Sequence, residues 1–382
     1  MGGNEEDHLL SYGRQTIDDE DVAAVEDALR SDYLTTGPRV EEFEGRLAET
    51  VGARYGVAVS SGTSALHLAC LALGIESGHE VVTSPLTFAA SANCVRYCGG
   101  TVVFADVCPG TGLIDPAEVE RAVTPRTRAI IPVDYAGFPC DVEAISSIAR
   151  RHDLWVVEDA AHALGATYGG GTVGDCRHVD MATFSFHPVK HITTGEGGAI
   201  TTNTLALYER LKRLRNHGLS RPPEKVAAEG SWYQEIDELG YNYRLTDFQC
   251  ALGTSQLRKL SRFVAKRRQL AERYDQSLPG AHVELPDPSE HSSYHLYVIK
   301  VADAETRRAL FDHLWGLGVR CQVHYVPVHW HAAYERLGHE RGSYPNAEDY
   351  YARILSLPLY PSLDAEQQDR VVEGVRSFFG VK

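Results

Sequence analysis

Lys190 is the residue of this chain best suited to act as a nucleophilic amine. It follows the apolar run Phe184–Phe186 and precedes the glycine-rich turn Gly195–Gly198, in a chain that uses Arg far more often than Lys. Burial lowers the pKa of an amine, which favours Schiff-base formation with an aldehyde and later proton transfer. The competing interpretation of Lys190 is a structural salt bridge.

A carboxylate stands at the end of another predicted strand, 31 residues before that lysine. The run Val156–Glu158 delivers Asp159 to the edge of the sheet at which open α/β sheets bind ligands. A carboxylate there could pair with a protonated pyridine nitrogen and keep the ring able to accept electrons. Alternatively, Asp159 caps the next helix and His162 is a core histidine whose hydrogen bonds are satisfied.

A small polar turn, Ser60–Ser64, follows an apolar strand and opens a predicted helix. Its backbone N–H groups suit a phosphate, although an ordinary helix N-cap has the same pattern. Phe88, after the strand Glu80–Thr83, could stack on an aromatic ring or belong to the core. A phosphate turn, a strand-end Asp and a Lys, in this order, predict a site for pyridoxal 5'-phosphate (PLP) carried by Lys190.

Alternating strands and helices must position these residues. Short apolar strands separated by helical periods, such as Val142–Arg151, predict an α/β fold with a mostly parallel sheet sandwiched between helices. A helix capped by Asp18 is predicted to run through Leu29, and another covers Ser64–Leu73. The predicted strands are Tyr55–Val59, Glu80–Thr83, Thr101–Val107, Ala129–Val133, Leu154–Glu158, Ala182–Phe186 and Gly198–Thr202.

The second half of the chain has a different pattern. It predicts a basic helix at Leu205–Arg215, a mobile loop at Leu219–Gly230 and a long helix at Thr246–Gln276. We expect a large PLP-binding domain over residues 1–250, and a long connecting helix with a smaller α+β domain over 251–382. The first 15 or so residues are expected to associate with the smaller domain. The predicted elements of the smaller domain are strands at Tyr294–Val301 and Cys321–Tyr325 and helices at Ala304–Leu317 and Ala365–Phe379.

The composition excludes several classes of protein. The chain has 382 residues, 43% of them hydrophobic, and a formal net charge of −15. Such acidity disfavours nucleic acids and anionic membranes as partners, and no apolar run approaches the ~20 residues that span a bilayer. Without a signal-peptide pattern in Met1–Leu10, a cytoplasmic location is expected. The eight scattered cysteines predict reduced thiols, and Cys94 and Cys98 lack the companions of a metal site.

Five motifs resemble the DegT-type sugar aminotransferases, a family of fold-type I PLP enzymes. The resemblance runs from about Tyr12 to the C-terminal helix. Within the family, Tyr12–Gln15 and Phe184–Gly198 are most similar to the UDP-4-keto-sugar 4-aminotransferase of pseudaminic acid biosynthesis. The five motifs are Leu34–Pro38, Ser61–Ser64, Glu158–His162, Ser185–Lys190 and Gly240–Asp247.

The resemblance implies a homodimer with shared active sites. Lys190 would carry PLP, Asp159 would face the pyridine nitrogen, Phe88 would stack on the ring and His162, where many members have Gln, would lie near the ring hydroxyl. The residues implied for the phosphate are Gly62, Thr63, Ser185 and Asn242 from the partner subunit. The residues implied for the sugar and nucleotide are Thr35, His187, Arg244, His324 and Tyr325.

The implied reaction moves an amino group from L-glutamate to a keto carbon, C4 being favoured, of a nucleotide-linked 4-keto-6-deoxysugar. A 3-aminotransferase of the same fold is an alternative. A PLP-dependent sugar dehydratase of this family would have His in place of Lys190. A nicotinamide-dependent dehydrogenase would need a Gly-x-Gly-x-x-Gly fingerprint, which the chain lacks. A non-catalytic ligand-binding homologue would have no need of the lysine.

Overall fold

The computed structural model describes residues 9–381, which form an α/β structure. The strands are β1 (Leu10–Ser11), β2 (Tyr55–Val59), β3 (Glu80–Thr83), β4 (Thr101–Phe104), β5 (Thr127–Ile131), β6 (Trp155–Asp159), β7 (Thr167–Tyr168), β8 (Gly171–Thr172), β9 (Met181–Ser185), β10 (Gly198–Thr202), β11 (Leu219–Ser220), β12 (Glu235–Ile236), β13 (Tyr297–Lys300), β14 (Val319–Arg320) and β15 (Ile354–Leu357).

The helices lie between and after these strands. They are α1 (Asp19–Leu29), α2 (Pro38–Val51), α3 (Gly62–Ala72), α4 (Ala90–Tyr97), α5 (Pro116–Ala122), α6 (Val142–His152), α7 (Leu205–Arg215), α8 (Pro223–Glu229), α9 (Asp247–Leu257), α10 (Leu260–Ser277), α11 (Ala304–Gly316), α12 (Ala332–Glu335), α13 (Pro345–Arg353) and α14 (Ala365–Phe378). Among residues 9–381, no helix is both long and apolar enough to cross a membrane.

The main sheet of the fold has seven strands, in the order β2-β10-β9-β6-β5-β3-β4. Strand β10 runs antiparallel to β2 and β9, and the other pairings are parallel. Alternate residues of β2 enter two apolar clusters: Ala58 packs with residues of α2 and α6, whereas Val57 and Val59 pack with residues of α3 and α7. Helices therefore cover both faces, which confirms the predicted α/β sandwich.

Local chemistry explains why several elements begin where the sequence predicted. Asp18 caps α1 and accepts from the backbone N–H of Asp21, whose own side chain accepts from the N–H of Asp18. This reciprocal capping box satisfies two N–H groups that a helix start otherwise leaves unpaired. The strands Tyr55–Val59, Glu80–Thr83 and Gly198–Thr202 have the predicted bounds, because each is a short, buried, β-branched run between turns.

The C-terminal part has its own apolar cluster, which contains Tyr274, Leu314 and Val375. Strands β13 and β15 pair antiparallel there, and β1 pairs parallel to β14. Leu10 of β1 is buried in the same cluster, so the start of the described chain packs against its end. The domain boundary between residues 250 and 251 stays a prediction. Of the N-terminal residues predicted to associate with the smaller domain, the first eight lie outside the described ones.

Three predicted elements were wrong. The long helix Thr246–Gln276 is two helices, α9 and α10, which are interrupted at Arg258 and Lys259. Buried Lys259 pairs there with Asp18 and Asp21 at the start of α1. The predicted loop Leu219–Gly230 contains β11 and α8. The strand predicted at Cys321–Tyr325 lies earlier, at β14, and the segment after it makes only an isolated bridge between Gln322 and Ser356.

Candidate active site

A cavity of about 370 Å³ opens at the carboxyl ends of the parallel strands. This is the edge at which α/β sheets bind ligands, since strand ends there deliver side chains from several elements. The sequence-predicted residues that line it are Gly62, Thr63, Phe88, Asp159, His162, Ser185, His187, Lys190, His324 and Tyr325. Residues separated by more than 260 positions in the chain therefore share one chamber.

Asp159 ends strand β6 and is buried in the wall of this cavity. Its carboxylate accepts a hydrogen bond from the Ser91 hydroxyl at 2.6 Å and from the Ala161 backbone N–H at 3.2 Å. Burial raises the pKa of Asp159, whereas these two donors and the charge of Lys190 lower it. The predicted helix cap is wrong, because a turn rather than a helix follows this strand.

Lys190 lies after strand β9 in a tight turn, where its backbone N–H donates to the carbonyl of His187 at 2.8 Å. Its side chain is half-buried and lines the cavity. Burial lowers the pKa of the amine to about 8, although the negative charge of Asp159 opposes that shift. Among the described residues Lys190 makes no ion pair, so a structural salt bridge does not explain it.

The polar turn before α3 combines a helix cap with a close backbone approach. Ser61 caps the helix, and its hydroxyl oxygen accepts from the backbone N–H of Ser64 at 3.0 Å. A Cβ added to Gly62 would lie 2.9 Å from the Cβ of Ser185, so the two segments touch with no room for a side chain. Gly62 and Ser185 thus bring unpaired helix N–H groups and a hydroxyl to one end of the cavity.

His162 is buried on the side of the cavity that faces the C-terminal part of the chain. Its Nε2 lies 3.1 Å from the Tyr325 hydroxyl, and its ring centroid lies 4.2 Å from that of His295. Burial lowers its pKa well below the ordinary value for histidine, so the ring is neutral at physiological pH. Its Nδ1 is buried and has no hydrogen-bond partner among residues 9–381. A core histidine with all its hydrogen bonds satisfied would have a partner at both ring nitrogens.

Phe88 projects into the cavity rather than into the core. The residue is 60% exposed, and its ring centroid lies 6.0 Å from that of Tyr325. An exposed aromatic ring beside buried polar groups is suited to stacking on a flat ligand ring.

A family model supplies the observation that decides the class of this protein. The model described as the DegT/DnrJ/EryC1/StrS aminotransferase family matches residues 15–376. The chain belongs to this family. It is a PLP-dependent sugar aminotransferase with the fold-type I architecture, as the resemblance of the motifs predicted.

Individual relatives of this aminotransferase cover nearly its whole length. The spore coat polysaccharide biosynthesis protein SpsC of Bacillus subtilis is 40% identical over 380 residues, 97% of both chains. The putative sugar aminotransferase Spr1654 from Streptococcus pneumoniae, in its PMP form, has a TM-score of 0.92 at 30% identity, covering 97% of this chain and 99% of the other. Helicobacter pylori PseC, an aminotransferase involved in the biosynthesis of pseudoaminic acid, has a TM-score of 0.90 at 33% identity, covering the same shares.

The donor set of the cavity fits PLP. Its wall offers a helix N-terminus with hydroxyls for a phosphate and the carboxylate of Asp159 for a ring nitrogen. The same wall contains an amine, an exposed aromatic ring and a neutral imidazole. These are the groups that a phosphorylated pyridine aldehyde requires.

Two residues that contact the predicted site were missed by the sequence analysis. Ser91, fully buried in α4, holds the carboxylate of Asp159, and its own hydroxyl lies 2.8 Å from that of Thr87. The sequence signal that could have indicated Ser91 was its spacing from Thr87, because the two hydroxyl residues are four positions apart across the start of α4. His295 packs on His162, and no motif indicated it, because the contact joins distant parts of the chain.

Three predicted site residues lie outside the cavity of their own chain. Thr35 and Asn242 are exposed, and Arg244 donates to the Asn216 side chain at 2.6 Å. Thr35 forms an isolated bridge with Thr246, and Asn242 forms one with Asn216. A single copy of the chain therefore does not bring these three residues to Lys190.

Proposed function

We propose that the chain transfers an amino group from L-glutamate to the C4 keto carbon of a nucleotide-linked 4-keto-6-deoxysugar. The observation that carries the proposal is the Lys190 amine, which lies without an ion pair, among the described residues, in the cavity that also contains Asp159 and the helix start at Gly62. A lysine that only stabilised the fold would pair with a carboxylate. A lysine that must bond to an aldehyde has to stay available.

Each of these cavity groups would have its own role in holding PLP. Gly62, Thr63 and Ser185 would bind the phosphate, with Asn242 of a second copy. Asp159 would face the pyridine nitrogen. Phe88 would cover one face of the ring. When bound, PLP withdraws electrons from the substrate carbon and makes its C–H bond acidic.

Lys190 would hold and move the proton of that C–H bond. With the pKa lowered to about 8, roughly a tenth of the amine is unprotonated at pH 7. The ordinary pKa of a lysine, about 10.4, would leave far less of the amine able to accept a proton. Burial thus adapts one residue both to attach PLP and to act as a general base.

His162 and Tyr325 would fix the polar edge of the ring. The imidazole is neutral, so one ring nitrogen accepts and the other donates. Its Nε2 engages the Tyr325 hydroxyl, which leaves the buried Nδ1 without a partner among the described residues. A ring hydroxyl near His162 would supply the missing hydrogen bond.

The substrate assignment rests on family resemblance and on the open side of the cavity. The run Phe184–Gly198 resembles UDP-4-keto-sugar 4-aminotransferases, and PseC, the aminotransferase involved in pseudoaminic acid biosynthesis, shares the fold over almost the whole chain. His187, His324 and Tyr325 line the cavity with polar groups that suit sugar hydroxyls. The keto group that accepts the nitrogen could be at C4 or at C3 of the sugar, and the resemblance favours C4.

We also propose a homodimer in which each site takes residues from both copies. The support is that Thr35, Asn242 and Arg244 do not line the cavity of their own chain. Mixing Lys190→Ala with Arg244→Ala should restore part of the activity, because hybrid dimers then contain one intact site. No recovery beyond that of either variant alone would contradict shared sites.

The smaller domain of the proposed enzyme would comprise residues 251–382 together with β1. Its support is the separate apolar cluster that contains Leu10, Leu270 and Val375. His324 and Tyr325 would then approach PLP from the smaller domain, while Lys190 belongs to the larger one.

An absorbance experiment tests the proposed reaction. Purified protein reconstituted with PLP should show the band of lysine-bound cofactor, and L-glutamate should bleach it. One of the UDP- or dTDP-linked 4-keto-6-deoxysugars should then restore the band, and product analysis by NMR would locate the new amine. Lys266→Ala, which changes a lysine away from this cavity, serves as the control. Absence of a band after PLP is added would refute the proposal.

A further inference from the structure

A buried tyrosine hydroxyl contacts the segment that brings His324 and Tyr325 to the cavity. Tyr135 follows strand β5 and is 1% exposed, and its hydroxyl donates to the backbone carbonyl of His324 at 2.6 Å. Within residues 9–381, no other donor reaches that carbonyl. Because His324 is itself buried, loss of this donor would leave its carbonyl without a hydrogen bond in an environment that contains little water.

The ring of Tyr135 is held in place by packing. It belongs to an apolar cluster that includes Leu86, Leu296 and Tyr350, and its centroid lies 5.9 Å from that of Tyr350 in an edge-on contact. Burial raises the pKa of the Tyr135 hydroxyl well above its ordinary value, so the group stays protonated and able to donate. The bond therefore ties the segment before the C-terminal strands to the end of a strand in the main sheet.

The other contacts of His324 leave one side of its ring available. Its Nδ1 lies 2.9 Å from the hydroxyl of Ser356, a fully buried residue of β15, and the ring of Tyr12 lies 5.0 Å away between centroids. Burial lowers the pKa of His324 to about 3, so the ring is neutral at physiological pH. Its Nε2 has no hydrogen-bond partner among the described residues, and the ring lines the cavity. Such a nitrogen can bond to a sugar hydroxyl.

Tyr325 depends on the same peptide group. The carbonyl that Tyr135 holds belongs to the planar peptide that joins His324 to Tyr325, so rotation of this peptide would move both side chains. The Tyr325 hydroxyl lies 3.1 Å from Nε2 of His162, and its ring centroid lies 6.0 Å from that of Phe88. One hydrogen bond thus acts on two residues that line the cavity.

We propose that Tyr135 is a positioning residue, which holds the peptide between His324 and Tyr325 so that both side chains face the sugar part of the substrate. The proposal rests on the proposed function for the identity of that substrate. Tyr135 does not line the cavity, so its effect on the sugar passes through His324 and Tyr325. The hydrogen bond itself is a property of the chain alone and can be tested without substrate.

Steady-state kinetics of Tyr135→Phe, which removes only the hydroxyl, measure the consequence for the substrate. The KM for the UDP- or dTDP-linked 4-keto-6-deoxysugar that the wild type aminates should rise about 3- to 10-fold, as expected for the loss of one hydrogen bond. At saturating ketosugar, kcat should change less than KM does. The KM for L-glutamate should stay near the wild-type value, since His324 and Tyr325 are assigned to the sugar.

Tyr274→Phe is the matched control. Tyr274 is fully buried, its hydroxyl donates to the carbonyl of Pro358 at 2.9 Å, and it does not line the cavity. Both variants lose the same kind of buried bond, so both should lose Tm, but only Tyr135→Phe should change the KM for the ketosugar. Equal ketosugar KM values in the two variants would overturn the proposal, as would equal increases in the KM of both substrates in Tyr135→Phe.

Hydrogen–deuterium exchange of the apo-protein tests the contact without substrate. The amides of Gln322 and Val328 donate to carbonyls outside the segment Gln322–Val328, so their exchange reports its opening. In Tyr135→Phe, exchange there should be about 3- to 10-fold faster than in the wild type, whereas Tyr274→Phe should match the wild type.

Unchanged exchange in Tyr135→Phe, or the same acceleration in Tyr274→Phe, would show that the Tyr135 hydroxyl does not hold the segment. Faster exchange without a change in the ketosugar KM would refute the role in sugar binding. If the wild type aminated no ketosugar at all, the proposed function would fail, while exchange would still decide whether Tyr135 holds the peptide.

Discussion

The hydrogen bond from Ser91 to Asp159 allows a quantitative prediction. The donor and acceptor oxygens are 2.6 Å apart, and both residues are buried. A hydrogen bond to a charged group contributes ~1.5–3 kcal/mol. Ser91→Ala should therefore make the ionised form of Asp159 less stable by that amount. If PLP binding requires the ionised carboxylate, its dissociation constant should rise by about 10- to 150-fold.

The assay is a cofactor titration followed by a pH profile of kcat/KM with L-glutamate. Loss of a donor to a carboxylate raises its pKa, so the acid limb of the profile should move to higher pH. Thr87→Ala is the matched control, because it removes the contact between the Thr87 and Ser91 hydroxyls but leaves the bond to Asp159. If Ser91→Ala and Thr87→Ala have the same acid limb and PLP affinity, the reasoning about Ser91 is wrong.

Three further predictions concern the cavity. Lys190→Ala should lower kcat about 1000-fold or more while PLP still binds non-covalently; near-normal turnover in a steady-state assay would rule out its assigned role. Because burial lowers the pKa of Lys190 to about 8, the unfolded chain binds more protons between pH 8 and about 10.4, so the Tm of the apo-protein should rise across that range. Lys190→Met should lose that rise, and an unchanged Tm profile would contradict the shift. Gly62→Ala should cost about 1–3 kcal/mol and weaken PLP binding, since its Cβ would lie 2.9 Å from Ser185; Gly45→Ala, an open helical position, is the control in urea unfolding and PLP titration.

The central sheet was predictable because each strand carries its signal locally. Glu80–Thr83 is a short buried run between turns, and such a run has few alternative structures. The break between α9 and α10 was not predictable, because the helical pattern continues through Lys259. At the break, Lys259 forms ion pairs with a helix start some 240 residues earlier, and no window of local sequence contains that contact.

The same distinction separates the site residues. Asp159 ends a strand and Lys190 lies in the turn after another strand, so the residue types and their order along the chain were enough to indicate a chemical role. His295 comes from a segment with no recognisable motif, and its packing on His162 depends on how two distant parts of the chain meet. The roles proposed for Thr35 and Arg244 would also depend on a second copy of the chain, which no pattern in one sequence describes.

Strand β6 has a practical consequence for following this enzyme by fluorescence. It carries the carboxylate of Asp159 at one end and the indole of Trp155, 41% exposed, at the other. With a rise of about 3.3 Å per residue, the two ends are roughly 13 Å apart. That separation suits resonance energy transfer from the indole to a chromophore in the cavity. Trp155 is thus a built-in optical reporter of occupancy, and the chain has three other tryptophans that could be replaced to isolate its emission.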